Sequence, residues 1–271
     1  MRKVLTLVTA MLAVSVGVVA STPGAGAQST PTTTAAAGAG LLRVGTELPA
    51  PQFWAGATTQ TLTGGFEYEL AKSLATKLGY SGVQVVSIPF DTLLAGKAKN
   101  YDLALEQVLV TKANKVKVAM SKGYLDFNLG ILVRKGTPLP TAATARTWKW
   151  GVWTGQAPSA SYLTHSLKTA AVPQTYPDLA QAVTALQNSQ IDAVLDYTVS
   201  VQKQASTSGG KLTVVGQFKT GEQLGVVLPK GSKLVTKVDE AIRTLRSDGT
   251  IGKLAIANLG GDPSTVPFVT G

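Results

Sequence analysis

Cysteine is absent from this 271-residue chain, and histidine occurs once. Without thiols there is no disulfide framework, no thiolate nucleophile and no cysteine to accept a lipid. A lone imidazole, His165, cannot gather the ligands of a zinc site, so no metal is expected. It falls in a helical stretch, where an ordinary exposed histidine is the simpler reading. No nucleophile-elbow sequence accompanies it, which leaves a Ser-His-Asp triad unsupported. A Walker A loop is missing, so any ATP hydrolysis would belong to another subunit. No catalytic residue and no cofactor is expected. Aromatic residues are scarce at 6%, and the 25 Lys and Arg set against 15 Asp and Glu give a formal charge of +10. Scattered lysines such as Lys112, Lys115 and Lys117, with few stacking platforms, describe a solvated surface able to meet an anionic membrane or partner. They do not describe a nucleic-acid interface.

What is present begins with a targeting segment. Arg2 and Lys3 precede an apolar run from Val4 to Ala20, and Ala25-Gly26-Ala27 is a small-residue cleavage pattern. Residues 1–27 therefore read as a cleaved signal peptide, too short and wrongly flanked for a membrane anchor. Its removal lowers the formal charge from +10 to +8. The expected location is periplasmic or secreted. Residues 28–40, rich in Ser, Thr, Pro, Ala and Gly, read as a flexible leader.

From Leu41 onward, short β-rich runs alternate with helical ones. Leu41–Thr46 reads as a strand, and Phe66–Leu78 as a helix with an i, i+4 stripe at Phe66, Leu70, Leu74 and Leu78. Val83–Ser87 reads as a strand, Phe90–Lys99 as a helix and Tyr101–Leu105 as a strand. This order predicts a mainly parallel sheet with helices on its faces. A second block of the same kind follows Gly136-Thr137-Pro138, with strands at Trp150–Trp153, Gln174–Tyr176 and Ile191–Leu195, and helices at Ser159–Leu167 and Leu179–Gln187. A last helix over Leu234–Asp248 should stop at Gly249. Leu129–Val133 and Leu224–Leu228, each followed by Lys-Gly, bracket the second block. Paired side by side, they would form a double crossover able to act as a hinge. The expected division is 41–133 with 225–271 as lobe 1, and 134–224 as lobe 2.

The segment Gly65-Phe66-Glu67-Tyr68-Glu69-Leu70-Ala71-Lys72 carries the most specific family pattern. Supporting it are Leu42–Thr46, Tyr101-Asp102-Leu103, Thr111–Ser121, Val133–Pro138, Gly151–Gly155, Ile191–Asp196 and Gly249-Thr250-Ile251, in order along the whole folded part. The chain resembles the extracellular solute-binding proteins of polar amino-acid ABC importers. The resemblance implies an α/β, two-lobed periplasmic-binding fold of the second type, each lobe a mainly parallel sheet flanked by helices, joined by two crossover strands. It also implies a monomer that closes on a small polar ligand and delivers it to membrane permease and ATPase subunits.

Members of that family commonly hold a ligand carboxylate with Arg and its ammonium with Asp, because each charge losing water needs a fixed partner. Asp196, ending the apolar run Ala193-Val194-Leu195, stands at the ammonium position, at the carboxyl end of a strand where open α/β folds bind ligands. The Arg position, counted from Thr111, holds Asn114, a neutral amide rather than a charged fork. Glu106 and Gln107 replace small residues, Leu109 replaces a hydroxyl, and Gln156-Ala157 stand where a Ser/Thr pair is usual. Glu106 would face Asp196 across the cleft, or pair with a nearby lysine. Trp54 (or Phe53), Phe90 and Trp153 are candidate aromatic walls. With both carboxylates facing the cleft, such a pocket would prefer a cation or a neutral polar molecule over a common α-amino acid. The same fold also resembles cyclohexadienyl dehydratases, in which Glu106 or Asp196 could serve as an acid if burial raised its pKa.

Overall fold

The computed structural model describes residues 40–271; the expected signal peptide and nearly all of the leader lie outside the described residues. The chain runs through β1 (Leu42–Thr46), α1 (Phe66–Leu78), β2 (Val83–Ser87), α2 (Phe90–Leu94), β3 (Leu103–Ala104), α3 (Lys112–Lys117), β4 (Ala119–Asp126) and β5 (Leu129–Arg134). It continues with α4 (Ala142–Thr147), β6 (Trp150–Trp153), α5 (Ala157–Ser161) and a π-helical stretch over Tyr162–Leu167. Then come β7 (Gln174–Tyr176), α6 (Leu179–Gln187), β8 (Ala193–Tyr197), α7 (Thr198–Thr207), β9 (Leu212–Phe218), β10 (Gln223–Leu228), α8 (Val235–Ser247) and α9 (Thr250–Leu259). The strands form two five-stranded sheets, ordered β2-β1-β3-β10-β4 and β7-β6-β8-β5-β9. In the first, β1 runs parallel to β2 and β3; in the second, β6 runs parallel to β7 and β8.

Helix α1 shows how pattern becomes packing. Phe66, Leu70 and Leu74 lie one turn apart and are fully buried against Leu42, Val44 and Leu103 of the first sheet. Burial of each such side chain is worth roughly 1.5–3 kcal/mol. The helix stops at Gly79, whose left-handed φ of 83° turns its N–H back onto the last carbonyls. Gly249 terminates α8 in the same left-handed conformation, but the chain re-enters a helix at once as α9.

The expected pairing of Leu129–Val133 with Leu224–Leu228 does not form. Each lies in a different sheet: β5 pairs with β8 and β9, whereas β10 pairs with β3 and β4. Both are short apolar runs, and hydrophobicity alone does not specify which neighbour a buried strand takes. Strand β5, expected to close the first lobe, thus belongs to the second sheet. The passages between sheets are Phe127–Asn128 and Lys219–Glu222, lying side by side. Phe127 N–H donates to Glu222 O at 2.9 Å, and Thr220 N–H donates to Asn128 Oδ1 at 3.1 Å. The C-terminal segment also returns to the second sheet. Gln217 N–H donates to Pro267 O at 2.9 Å, and Val269 N–H donates to Gln217 O at 3.0 Å.

This topology determines where a ligand can sit. Because β10 is antiparallel to β3 and β5 is antiparallel to β8, the carboxyl ends of β1, β3, β6 and β8 all point toward the two passages. The ladder between β3 and β10 is also broken there. Ala104 pairs with Val227 and Leu109 with Leu224, five residue steps against three. The two extra residues fall in the stretch holding Glu106 and Gln107, and Gln107 takes a left-handed φ of 48°. A bulge of this kind re-aims side chains at a sheet's functional edge.

Gly65 precedes α1 with φ 111°, and a Cβ there would collide with the Phe53 carbonyl, which accepts from Glu67 N–H at 2.9 Å and so caps the helix. At Gly79 a Cβ would meet open space, leaving only left-handed strain of about 1–2 kcal/mol. Urea unfolding should therefore place Gly65→Ala well below Gly79→Ala in stability. Equal midpoints would contradict the capping role.

Candidate functional site

At the carboxyl end of β8, Asp196 sits in register with Gly130, one residue into β5 from the passage. It is 2% exposed, and three donors converge on it. Trp153 Nε1–H reaches Oδ2 at 2.8 Å, Gln156 Nε2–H reaches Oδ1 at 2.5 Å, and Tyr197 N–H reaches Oδ1 at 2.6 Å. Burial raises the Asp196 pKa; the donors, Gln156 foremost, counter it. Gly155 makes the arrangement possible, since any Cβ there would overlap the Trp153 ring. The structure thus joins three sequence-chosen residues, Asp196, Trp153 and Gln156, into one hydrogen-bonded group.

The first sheet presents a different chemistry. Glu106, at the bulge, is 6% exposed, and neither carboxylate oxygen has a hydrogen-bond partner among the described residues. The alternative of a salt bridge to a lysine is not formed. Burial first, then the negative charges of Glu47 and Glu67, push its pKa up to about 8, partly offset by the nearby Glu47 backbone N–H, which falls short of hydrogen-bond geometry. A buried charge without a partner is costly, so the group holds its proton unless a cation arrives. Glu47, at the end of β1, accepts the Phe90 N–H at 2.7 Å, which puts Phe90, 38% exposed, on the same edge.

Three sequence candidates have other employment. Trp54 has no exposed surface, and its indole N–H is shared between Glu67 Oε2 at 2.8 Å and Leu105 O at 3.2 Å; it is scaffold, not an aromatic wall. Gln107 donates to Glu67 through its backbone at 2.9 Å and its amide at 2.5 Å, and Tyr124 OH donates to the same carboxylate. Glu67 is fully buried, so it recruits every nearby donor. Asn114 spends its amide on Leu109 O at 2.9 Å, turning the position that should hold a carboxylate into part of the α3 cap. Among these candidates no charged donor stands ready for an anion.

Sequence reasoning missed Glu47, Phe127 and Tyr197. Glu47 follows Gly45-Thr46 at a strand's carboxyl end, the signal that singled out Asp196. Phe127 and Tyr197 stack at 3.8 Å between ring centroids beside the passage, and no pattern in the chain announces that contact. The Tyr197 hydroxyl is pushed up to about 12 by burial, Glu222 and Asp196. Among the described residues there is no cluster of three His, Cys, Asp or Glu able to hold a metal, and no helix long and apolar enough to cross a membrane.

Two sheets joined by paired passages, with buried acids at the carboxyl ends of their strands, define a solute-binding architecture. Residues 42–260 match the family model of that description, and the chain belongs to the bacterial extracellular solute-binding proteins, family 3. It is 30% identical over 227 residues to the L-cystine-binding protein TcyJ of Escherichia coli, covering 82% of this chain and 84% of the relative. Its fold is similar to the L-cystine solute receptor of Neisseria gonorrhoeae in the unliganded open conformation, with a TM-score of 0.71, 23% identity, and coverage of 83% and 95%. It is also similar to an ancestral cationic amino acid solute-binding protein, at TM-score 0.64 and 26% identity, with coverage of 81% and 95%.

The state of Glu106 has a thermodynamic consequence. A carboxyl that titrates near 8 when folded and near 4.3 when unfolded binds its proton more tightly in the native state. Its contribution to stability is complete below the lower value and is lost as pH rises toward the upper one. Thermal unfolding followed by circular dichroism should show wild-type Tm falling between pH 5 and 9. Glu106→Gln should flatten that fall and gain most at pH 9; parallel curves would contradict an unpaired Glu106.

Proposed function

We propose that this solute-binding protein captures a small cationic solute, an amino acid or amine bearing ammonium or guanidinium, and accepts neutral polar molecules second. The observation that supports the reading is the pair of partnerless oxygens on Glu106, at the end of the first sheet that leads into the passages, as the buried Asp196 is at that end of the second. A cation entering there would satisfy one carboxylate outright and share the other with Trp153 and Gln156, whose donors keep Asp196 oriented. Phe90 and Trp153 offer ring faces to the same charge. An anion would meet Glu47, Glu106 and Asp196 with no arginine to offset them. Closure would turn on Phe127–Asn128 and Lys219–Glu222, since a few residues in adjacent segments can absorb the rotation. Family membership supports delivery of the solute outside the cytoplasm to the permease of an ABC importer, whose ATPase subunits lie on the other side of the membrane, and the relatives that bind cystine and cationic amino acids keep zwitterionic ligands within range.

A thermal-shift panel of arginine, lysine, cystine, glutamate, polyamines, betaines and sugars tests the charge preference. A ligand at 100 times its Kd adds about 2.7 kcal/mol of stability. Cationic solutes should raise Tm and glutamate should not, and Asp196→Asn should weaken the best ligand at least tenfold while remaining folded. A clear shift with glutamate would overturn the proposal.

A further inference from the structure

The pole of the first lobe farthest from Glu106 carries an unbalanced positive charge. Three loops meet there because β3 and β4 begin, and β10 ends, at the same edge of the sheet. The first loop holds Lys97 and Lys99, the end of α3 supplies Lys115 and Lys117, and the turn after β10 supplies Lys230 and Lys233, all exposed. The loops touch. Lys230 Nζ donates to Lys115 O at 2.8 Å, and a Cβ on Gly96 would come within 2.8 Å of Lys117 O. A cavity of about 320 Å³ lies between them, lined in part by Lys99, Tyr101, Val118, Pro229 and Lys230.

No acid offsets these six charges. None forms a salt bridge among the described residues, whereas Lys72 and Lys77, elsewhere on the lobe, pair with Glu69 and Asp248. Asp102, next along the chain from Tyr101, is taken by the Arg43 guanidinium at 2.7 and 3.1 Å. In the midst of the lysines stands Val116, 73% exposed on α3.

We propose that this pole is a docking surface for a bilayer rich in anionic phospholipid headgroups. All six cations are lysines, hydrated point charges on mobile stems that can meet many headgroups at once. Arginine forks, suited to bidentate recognition of a single group, are absent from the three loops. Each lysine near an anionic surface adds to the attraction, which decays within a Debye length. Val116 can settle among the headgroups between Lys115 and Lys117. Because the pole lies at the amino ends of the parallel strands and the ligand residues at their carboxyl ends, docking would leave the binding edge free.

The test is co-sedimentation of the full chain with vesicles of phosphatidylglycerol and phosphatidylcholine in equal parts, read against pure phosphatidylcholine. The phosphatidylglycerol-dependent increment should be large at low salt and vanish at high salt. A variant carrying K97Q, K99Q, K115Q, K117Q, K230Q and K233Q should lose at least tenfold of it. A charge-matched control with K122Q, K135Q, K168Q, K211Q, K219Q and K253Q should keep most of it. Should the sixfold pole variant lose its fold, the smaller set K97Q, K99Q and K117Q should still lose at least threefold. No increment for the wild type, or equal losses in pole and control variants, would overturn the proposal.

Discussion

A carboxylate buried without a partner is the constraint around which this molecule is arranged. Glu67 and Asp196 are buried acids that the fold satisfies internally, with donors from Trp54, Gln107 and Tyr124 for one, and from Trp153, Gln156 and the Tyr197 backbone for the other. Glu106 is left unsatisfied. The contrast matters because ionising an unpartnered buried acid is costly, so Glu106 keeps its proton until a group outside the fold completes it. In the proposed reading, that partner is the bound solute.

The scaffold makes such an arrangement tolerable. Glu106 sits where two extra residues break the β3–β10 ladder, so backbone irregularity and an unpartnered acid coincide at the sheet edge. On the second sheet, the start of α7 links Asp196 to the passage. Thr198 N–H donates to Asn128 O at 2.9 Å, and its hydroxyl donates to Gln217 Oε1 at 2.9 Å. Gln217 in turn donates through its amide to Pro263 O and Val266 O of the C-terminal segment. Any change at Asp196 is therefore two residues from the groups on which the proposed closure would turn.

Much of this was legible from residue order. The stripe on α1, its span from Phe66 to Leu78 and the alternation of strands with helices follow from period. The strand pairing was not, because Leu129–Val133 and Leu224–Leu228 are alike in length and apolarity. The site was half legible. Strand-end position and the family pattern pointed to Asp196, and a departure from that pattern to Glu106, whereas Glu67 entered only as part of the family segment, and nothing in the sequence announced a buried acid that captures Trp54 and Gln107. Asn114 misled, since residue type does not reveal which carbonyl will claim an amide.

The most direct test is a carbon-13 NMR titration of the glutamate carboxyls in the unliganded protein, with Glu106→Gln as the assignment control. One resonance should titrate at about pH 8, vanish in the variant, and move to lower pH when a cationic ligand is added. If every glutamate titrates within the ordinary carboxylate range, Glu106 has a partner, and the vacancy proposed for a cation does not exist.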